Sequence, residues 1–252
     1  MATAETSLRG ACLEATVQKT ETGAILYDRA ILNHISDASF TPGGWPSARP
    51  VPGRLRSAGR GNTLVVSDGE RELVLRHYVR GGLPGRFIHD RYLWVGESRN
   101  RAFAEWRLLA RLTEMQLPVP RPAAARYSRR GIFYTADLLT VSEPGIEPLS
   151  ARIARPTDAD FWRGIGRGIR RFHDAGVFHA DLNAYNVQVN GSGEVFLLDF
   201  DRGGLRGAGS WCQQNLGRLH RSLRKVKQLD PSLHFREADW NAMVEGWQPV
   251  GA

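Results

Sequence analysis

One short stretch of this 252-residue chain has the side chains and spacing that phosphoryl transfer requires. His179-Ala180-Asp181-Leu182-Asn183-Ala184-Tyr185-Asn186 has the form H-x-D-x4-N, and Asp199-Phe200-Asp201 begins thirteen residues after Asn186. Moving a phosphoryl group from Mg-ATP to an alcohol needs a carboxylate that orients the hydroxyl and takes its proton. It also needs hard oxygen ligands that hold Mg²⁺ against the β- and γ-phosphates. Asp181 suits the first task, and Asn186 and Asp199 offer a neutral and a charged oxygen for the second. His179 reads as a loop buttress rather than a metal ligand, since no Cys/His/carboxylate set accompanies it.

These groups work together only if the intervening chain brings them together. Val187–Val189 and Val195–Leu198 read as strands joined by the turn Asn190-Gly191-Ser192-Gly193, a hairpin that returns Asp199 to the end where Asn186 begins. Upstream, Pro156-Thr157-Asp158 opens a helix with Phe161, Ile165, Ile169 and Phe172 at helical spacing, ending at Gly176. A last helix near Ser210–Leu229 carries Leu216, Leu219, Leu223 and Val226 on one side. In the first half, Thr63–Val66 and Arg71–Tyr78 form a hairpin about Ser67-Asp68-Gly69-Glu70. Ser98 is the expected N-cap of a helix to about Gln116, and Ile132–Thr135 reads as a strand. Residues 1–57 show turns but no clear pattern. Ser142–Pro148 resembles a linker. The expectation is an α+β protein in two lobes, a strand-rich 1–140 and a helix-rich 141–252.

The strings LVLRHYVRGG (73–82), HADLNAYN (179–186), LLDFDRG (197–203) and NLGRLHRSLRK (215–225) resemble the 3-deoxy-D-manno-octulosonic acid (Kdo) kinases of Gram-negative bacteria, a lipopolysaccharide-kinase branch of the protein-kinase-like superfamily. The resemblance implies a two-lobed kinase-like fold, with ATP and Mg²⁺ as cofactors. Asp181 becomes the catalytic base, and Asn186 and Asp199 the metal ligands. Leu73-Val74-Leu75-Arg76 aligns with the V-A-I-K strand, with arginine in place of the phosphate-binding lysine. Alternation puts Val74 and Arg76 on one face, so that Val74 roofs the adenine while Arg76 reaches the phosphates. Glu105, among apolar helix neighbours, then pairs with Arg76. Gly59-Arg60-Gly61 precedes a hairpin rather than a helix, which favours a kinase-type phosphate loop over a dinucleotide fingerprint. Asn183 replaces the catalytic-loop lysine and Asp201 the glycine of D-F-G. About ten residues separate Asp201 from the last helix, too few for a peptide-holding segment, so a peptide substrate is not expected. The implied acceptor is the 4-hydroxyl of Kdo on a lipid A precursor.

Composition sets the remaining bounds. Lys+Arg is 34 against 26 acids, net +8, and only Lys19, Lys225 and Lys227 are lysines. Residues 1–140 hold 20 basic and 13 acidic residues, net +7, and residues 141–252 hold 14 and 13, net +1. With 42% hydrophobic residues the chain can bury a core. Cys12 and Cys212 belong to no metal or disulfide pattern, and no apolar run is long enough to cross a bilayer. The start lacks the form of a secretory leader. Residues 202–229 contain seven basic residues and no acid, and residues 38–67 are also acid-free, with Arg49, Arg54, Arg56 and Arg60. Such faces suit peripheral attachment to an anionic membrane surface, at the cytoplasmic side of the inner membrane for a Kdo-lipid acceptor. No aromatic and basic motif supports nucleic-acid binding. Two rival readings are an aminoglycoside- or choline-type phosphotransferase, disfavoured by the basic charge, and a non-catalytic kinase-like module that binds nucleotide or anionic lipid.

Overall fold

Alternation in the strand that carries Arg76 organises the first half of the fold. In a computed structural model describing residues 12–51, 63–79 and 90–249, Leu73 and Leu75 of that strand are buried on one face, and Val74 and Arg76 lie on the other. The described residues form two compact units divided after Ser142, with Leu117–Val119 belonging to the second. Gly59 and Gly61, with Arg54, Arg56 and Arg60, lie outside the described residues.

The first unit contains β1 (Ala15–Lys19), β2 (Gly23–Asp28), β3 (Arg49–Pro50), β4 (Thr63–Ser67), β5 (Glu72–His77), β6 (Tyr92–Leu93), α1 (Arg101–Glu114), β7 (Pro122–Arg130) and β8 (Phe133–Val141). They build an antiparallel sheet of order β1-β2-β7-β8-β5-β4-β3, with β6 on β8. One core is assembled from Leu73 and Leu75 with Ile25, Val66 and Leu139. The segment after β2 supplies Ile31, Leu32, Ile35 and Phe40 to it. Within the stretch 1–57, unpatterned in sequence, the described residues 12–51 therefore contribute a hairpin and an apolar cover. Helix α1 packs against β7 and β8 and buries Ala102, Phe103, Trp106, Leu109 and Leu112. Its cap is Asn100, whose side-chain oxygen accepts from Phe103 N at 3.1 Å, and not the expected Ser98, which sits in a 3-10 turn over Glu97–Arg99. Asn caps as well as Ser, so the shift is between equivalent signals.

The second unit contains β9 (Ile146–Pro148), α2 (Leu149–Arg152), α3 (Ala159–Asp174), β10 (Val177–Phe178), β11 (Val187–Asn190), β12 (Val195–Leu197), β13 (Gly204–Leu205), α4 (Trp211–Leu229) and α5 (Glu237–Trp247). The expected linker at Ser142–Pro148 includes a strand, since β9 pairs with β11 in a sheet of order β12-β11-β9. Asp158 caps α3 through Phe161 N at 2.8 Å. Gly176 follows its end with φ of 75°, and a Cβ there would lie 2.6 Å from Arg206 O, so this turn needs glycine twice over.

Helix α5 has no counterpart in the sequence expectation. It packs on α3 with almost no space between the backbones. A Cβ on Gly166 would lie 2.0 Å from Met243 O, and one on Gly246 would lie 2.1 Å from Arg163 O. Gly164, on the same helix, has nothing closer than 3.9 Å. Gly166→Ala is therefore expected to lower stability by about 1–3 kcal/mol through overpacking. Gly164→Ala is expected to be neutral or stabilising by up to about 1 kcal/mol. Urea unfolding of both variants checks the contrast, and equal effects would refute it.

Candidate active site

The H-x-D-x4-N loop is held from inside by its histidine. His179 is buried, and its Nδ1 accepts a hydrogen bond from Asp181 N at 3.1 Å. The Nε2–H must then donate to the other contact, the Leu198 carbonyl at 2.9 Å. Burial pushes the imidazole pKa below its usual value, which favours the neutral ring that this arrangement needs. One imidazole thus ties the residue bearing the Asp181 carboxylate to the residue preceding Asp199.

The hairpin completes the convergence. Val187 pairs with Leu197 in β11 and β12, and Leu198 N continues the ladder by donating to Asn186 O at 3.0 Å. Asp199 therefore follows the residue opposite Asn186. It adopts φ of 67°, the left-handed region, which Asp tolerates better than most residues. Asn186 Nδ2 donates to Asp181 O at 2.9 Å. A carbonyl only accepts, so the amide nitrogen is committed to the loop and Oδ1 is turned away from it. The donor set is then one amide oxygen and one carboxylate, hard ligands that suit Mg²⁺, which is normally held by few protein groups together with phosphate and water. Among the described residues no cluster of three His, Cys, Asp or Glu side chains is placed to hold a metal.

Asp181 is set by its own loop and by α4. Asn183 Nδ2 donates to Asp181 Oδ2 at 3.0 Å, and Asn183 Oδ1 accepts from Tyr185 N and Asn186 N. The residue that departs from the kinase lysine therefore closes the loop as an Asx-type turn. Arg218 Nη1 lies 3.5 Å from Asp181 Oδ1. Asn215 brackets His179, accepting from its N–H at 3.2 Å and donating to its carbonyl at 3.0 Å, and Ser222 Oγ accepts from Ala184 N at 3.1 Å. Asn215 and Ser222 were not singled out from sequence. Their two-turn spacing on the helix that bears the leucine stripe was the available signal.

In the first unit Arg76 and Glu105 meet. Arg76 Nη2 lies 2.5 Å from Glu105 Oε2, and the Glu105 side chain is 2% exposed. Tyr78 joins them, accepting from Arg76 at 3.0 Å and donating its O–H to Glu105 Oε2 at 2.5 Å. Burial, and then the neighbouring carboxylate, push the Tyr78 hydroxyl well above its ordinary pKa, so it stays a donor. Tyr78 also escaped the sequence reading, although the alternation 74, 76, 78 points to it.

Residues 53–247 match the Lipopolysaccharide kinase (Kdo/WaaP) family. The chain belongs to that family. It is 45% identical over 207 residues to a 3-deoxy-D-manno-octulosonic acid kinase of Stenotrophomonas maltophilia strain K279a, covering 81% of this chain and 82% of the relative. At 44% and 43%, with the same coverage, stand proteins of that name from Xanthomonas euvesicatoria pv. vesicatoria strain 85-10 and Xanthomonas oryzae pv. oryzae strain PXO99A. Membership makes this chain a kinase and implies ATP as phosphoryl donor. The strand-rich first unit and the helical second unit agree with a protein-kinase-like fold.

A second histidine ties the helices behind the Kdo/WaaP loop. His173 of α3 accepts at Nδ1 from Trp247 Nε1 at 2.9 Å and meets the Trp211 and Trp247 rings edge-on. Burial, opposed by a hydrogen bond with Asn215, lowers its pKa to about 4. Above about pH 6.5 the ring is neutral both folded and unfolded and contributes no pH dependence. Between about 6.5 and 4 the unfolded chain takes up a proton that the folded chain refuses. Stability is therefore expected to fall with pH across that window, by about 3 kcal/mol from this group alone. Urea midpoints from pH 7 to 4.5 test it. His173→Gln should flatten the slope by close to one proton, and an unchanged slope would refute the assignment.

Proposed function

We propose that this chain phosphorylates a hydroxyl of Kdo on a lipid A precursor, the 4-hydroxyl of Kdo-lipid IVA, with ATP as donor. The observation that carries the reading is the His179 tie, which holds the loop of Asp181 against the strand end before Asp199 in a family whose close relatives are named Kdo kinases. Asp181 is the base: the acceptor hydroxyl surrenders its proton to the carboxylate as its oxygen bonds to the γ-phosphorus, and the bond to the β-phosphate oxygen breaks to release ADP. Asn183 and Arg218 hold the two carboxylate oxygens in place. Mg²⁺, held by Asn186 and Asp199, would offset phosphate charge.

Arg76 is the phosphate ligand of the first unit, positioned by Glu105 and Tyr78. Val74, on the same strand face, is the adenine contact, and Gly59 and Gly61 are assigned to the phosphate loop by resemblance alone. The segment from Asp201 to α4 is short and pinned by pairing of β13 with β10, which supports a small acceptor over a peptide. Exposed Arg206, Arg224 and Lys225 support peripheral contact with an anionic cytoplasmic leaflet. Among the described residues no helix is long and apolar enough to cross a membrane.

The reading is tested with labelled ATP and Kdo-lipid IVA. The expected product gains one phosphate on Kdo, and Asp181→Asn should lower kcat by about 10²–10⁴-fold with nucleotide affinity retained. Undiminished turnover by that variant would remove Asp181 from the mechanism. Turnover of aminoglycosides or choline in place of Kdo-lipid would favour the rival phosphotransferase.

A further inference from the structure

A cavity of about 430 Å³ opens beside the loop that carries Asp181, within the second unit. Phe178 and Ala180 line it on one side, and Gln213, Gln214, Arg218 and Arg221 of α4 on the other. Ala180 precedes Asp181 in the chain, and Arg218 reaches the Asp181 carboxylate at 3.5 Å, so two lining residues of the cavity adjoin the proposed base. Its volume lies in the range of small-ligand sites. Arg218 and Arg221 stand three residues apart on one helix face. Among the described residues Arg221 has no anionic partner, and Arg218 pairs with Asp181. Two guanidinium forks suit a carboxylate, and two carboxamides beside them can donate to and accept from sugar hydroxyls.

Gly217 gives an independent indication. It lies inside α4, where glycine weakens a helix, yet its φ is not positive and a Cβ would meet only the tip of Arg221 at 3.5 Å. Packing therefore does not require glycine there. Gly217 lines the cavity, and the missing side chain leaves its wall open.

We propose that this cavity seats the acceptor sugar and that Arg218 and Arg221 hold the carboxylate of a sugar acid, with Gly217 keeping the space for it. The proposal deepens the phosphotransferase reading and rests on it for the identity of the acceptor. A phosphate carried elsewhere on a lipid acceptor has related chemistry, and the test separates the two.

Binding of Kdo methyl glycoside and its carboxyl-reduced counterpart is measured by titration calorimetry or ligand-observed NMR on the full chain, without turnover. Wild type is expected to favour the carboxylate form by at least about tenfold, the loss of one charge-assisted contact. Arg221→Gln should weaken that form by a similar factor and scarcely distinguish the two. Gln228→Ala, on α4 but not at the cavity, should behave as wild type. Gly217→Leu should weaken both ligands with a thermal midpoint no lower than wild type. In turnover, Arg221→Gln should raise KM for the Kdo acceptor and leave KM for ATP unchanged. The proposal is overturned if Arg221→Gln binds both glycosides as wild type does, or if its KM for ATP rises instead. It is also overturned if removing the lipid phosphates, rather than reducing the carboxyl, abolishes the arginine dependence. Failure of wild type to phosphorylate any Kdo acceptor would sink the reaction, while the binding comparison would still decide the cavity.

Discussion

The second unit depends on an uncharged imidazole used at both nitrogens. His179 can accept from Asp181 N and donate to Leu198 O only as the Nε2–H tautomer, and protonation at Nδ1 would remove the acceptor. Burial supplies the bias toward neutrality, because a buried imidazolium would lose hydration that two short contacts do not replace. The result is a rigid link between a loop and a strand end that are distant in sequence. Phosphoryl transfer draws most of its catalysis from positioning and fixed charge, so such a link is as much a functional part as the carboxylates it places.

Helix α4 extends the same logic outward. Its inner stripe, Leu216, Leu219, Leu223 and Val226, is buried and fixes the rotation of the helix. Once that rotation is fixed, Asn215 and Ser222 fall against loop backbone, and Arg218 falls toward Asp181. Lys227 turns back to the carbonyls of Pro231 and Leu233, closing the helix end and leaving the acid-free run with fewer outward cations than its composition suggests. Glu237 of α5 lies near His220 and Arg224, which dilutes the charge further.

The parts legible in sequence are those encoded locally. The β4–β5 hairpin, α3 with its Asp158 cap, the β11–β12 ribbon and the α4 stripe each carry their own period and turn residues, and the motif residues sit on them as expected. The parts that escaped are set by tertiary contact. Strand β7 opens with a proline and a run of alanines, poor strand formers, because α1 packs closely over it. Helix α5 has a weak apolar face, since its close approach to α3 is made at Gly166 and Gly246 against backbone, with Trp247 meeting His173 near its end. Asn215, Ser222 and Tyr78 are ordinary polar residues until their partners are known. Sequence spacing can place a group on a face. It does not reveal what approaches that face.

The Arg76 cluster shows what replacing lysine changes. A lysine beside a buried glutamate can shed its proton when desolvated, leaving the pair neutral. Arginine stays charged in any accessible environment, so the Glu105 carboxylate always faces a cation. A planar guanidinium does not satisfy both oxygens and also turn to a phosphate without help. Tyr78 gives that help: its O–H takes a share of Glu105, its oxygen accepts from Arg76, and its ring lies under the guanidinium at 4.6 Å. The tyrosine and the arginine thus act as one unit on Glu105. Changing Arg76 to lysine alone would leave a phenol and a carboxylate arranged for a fork that is no longer there.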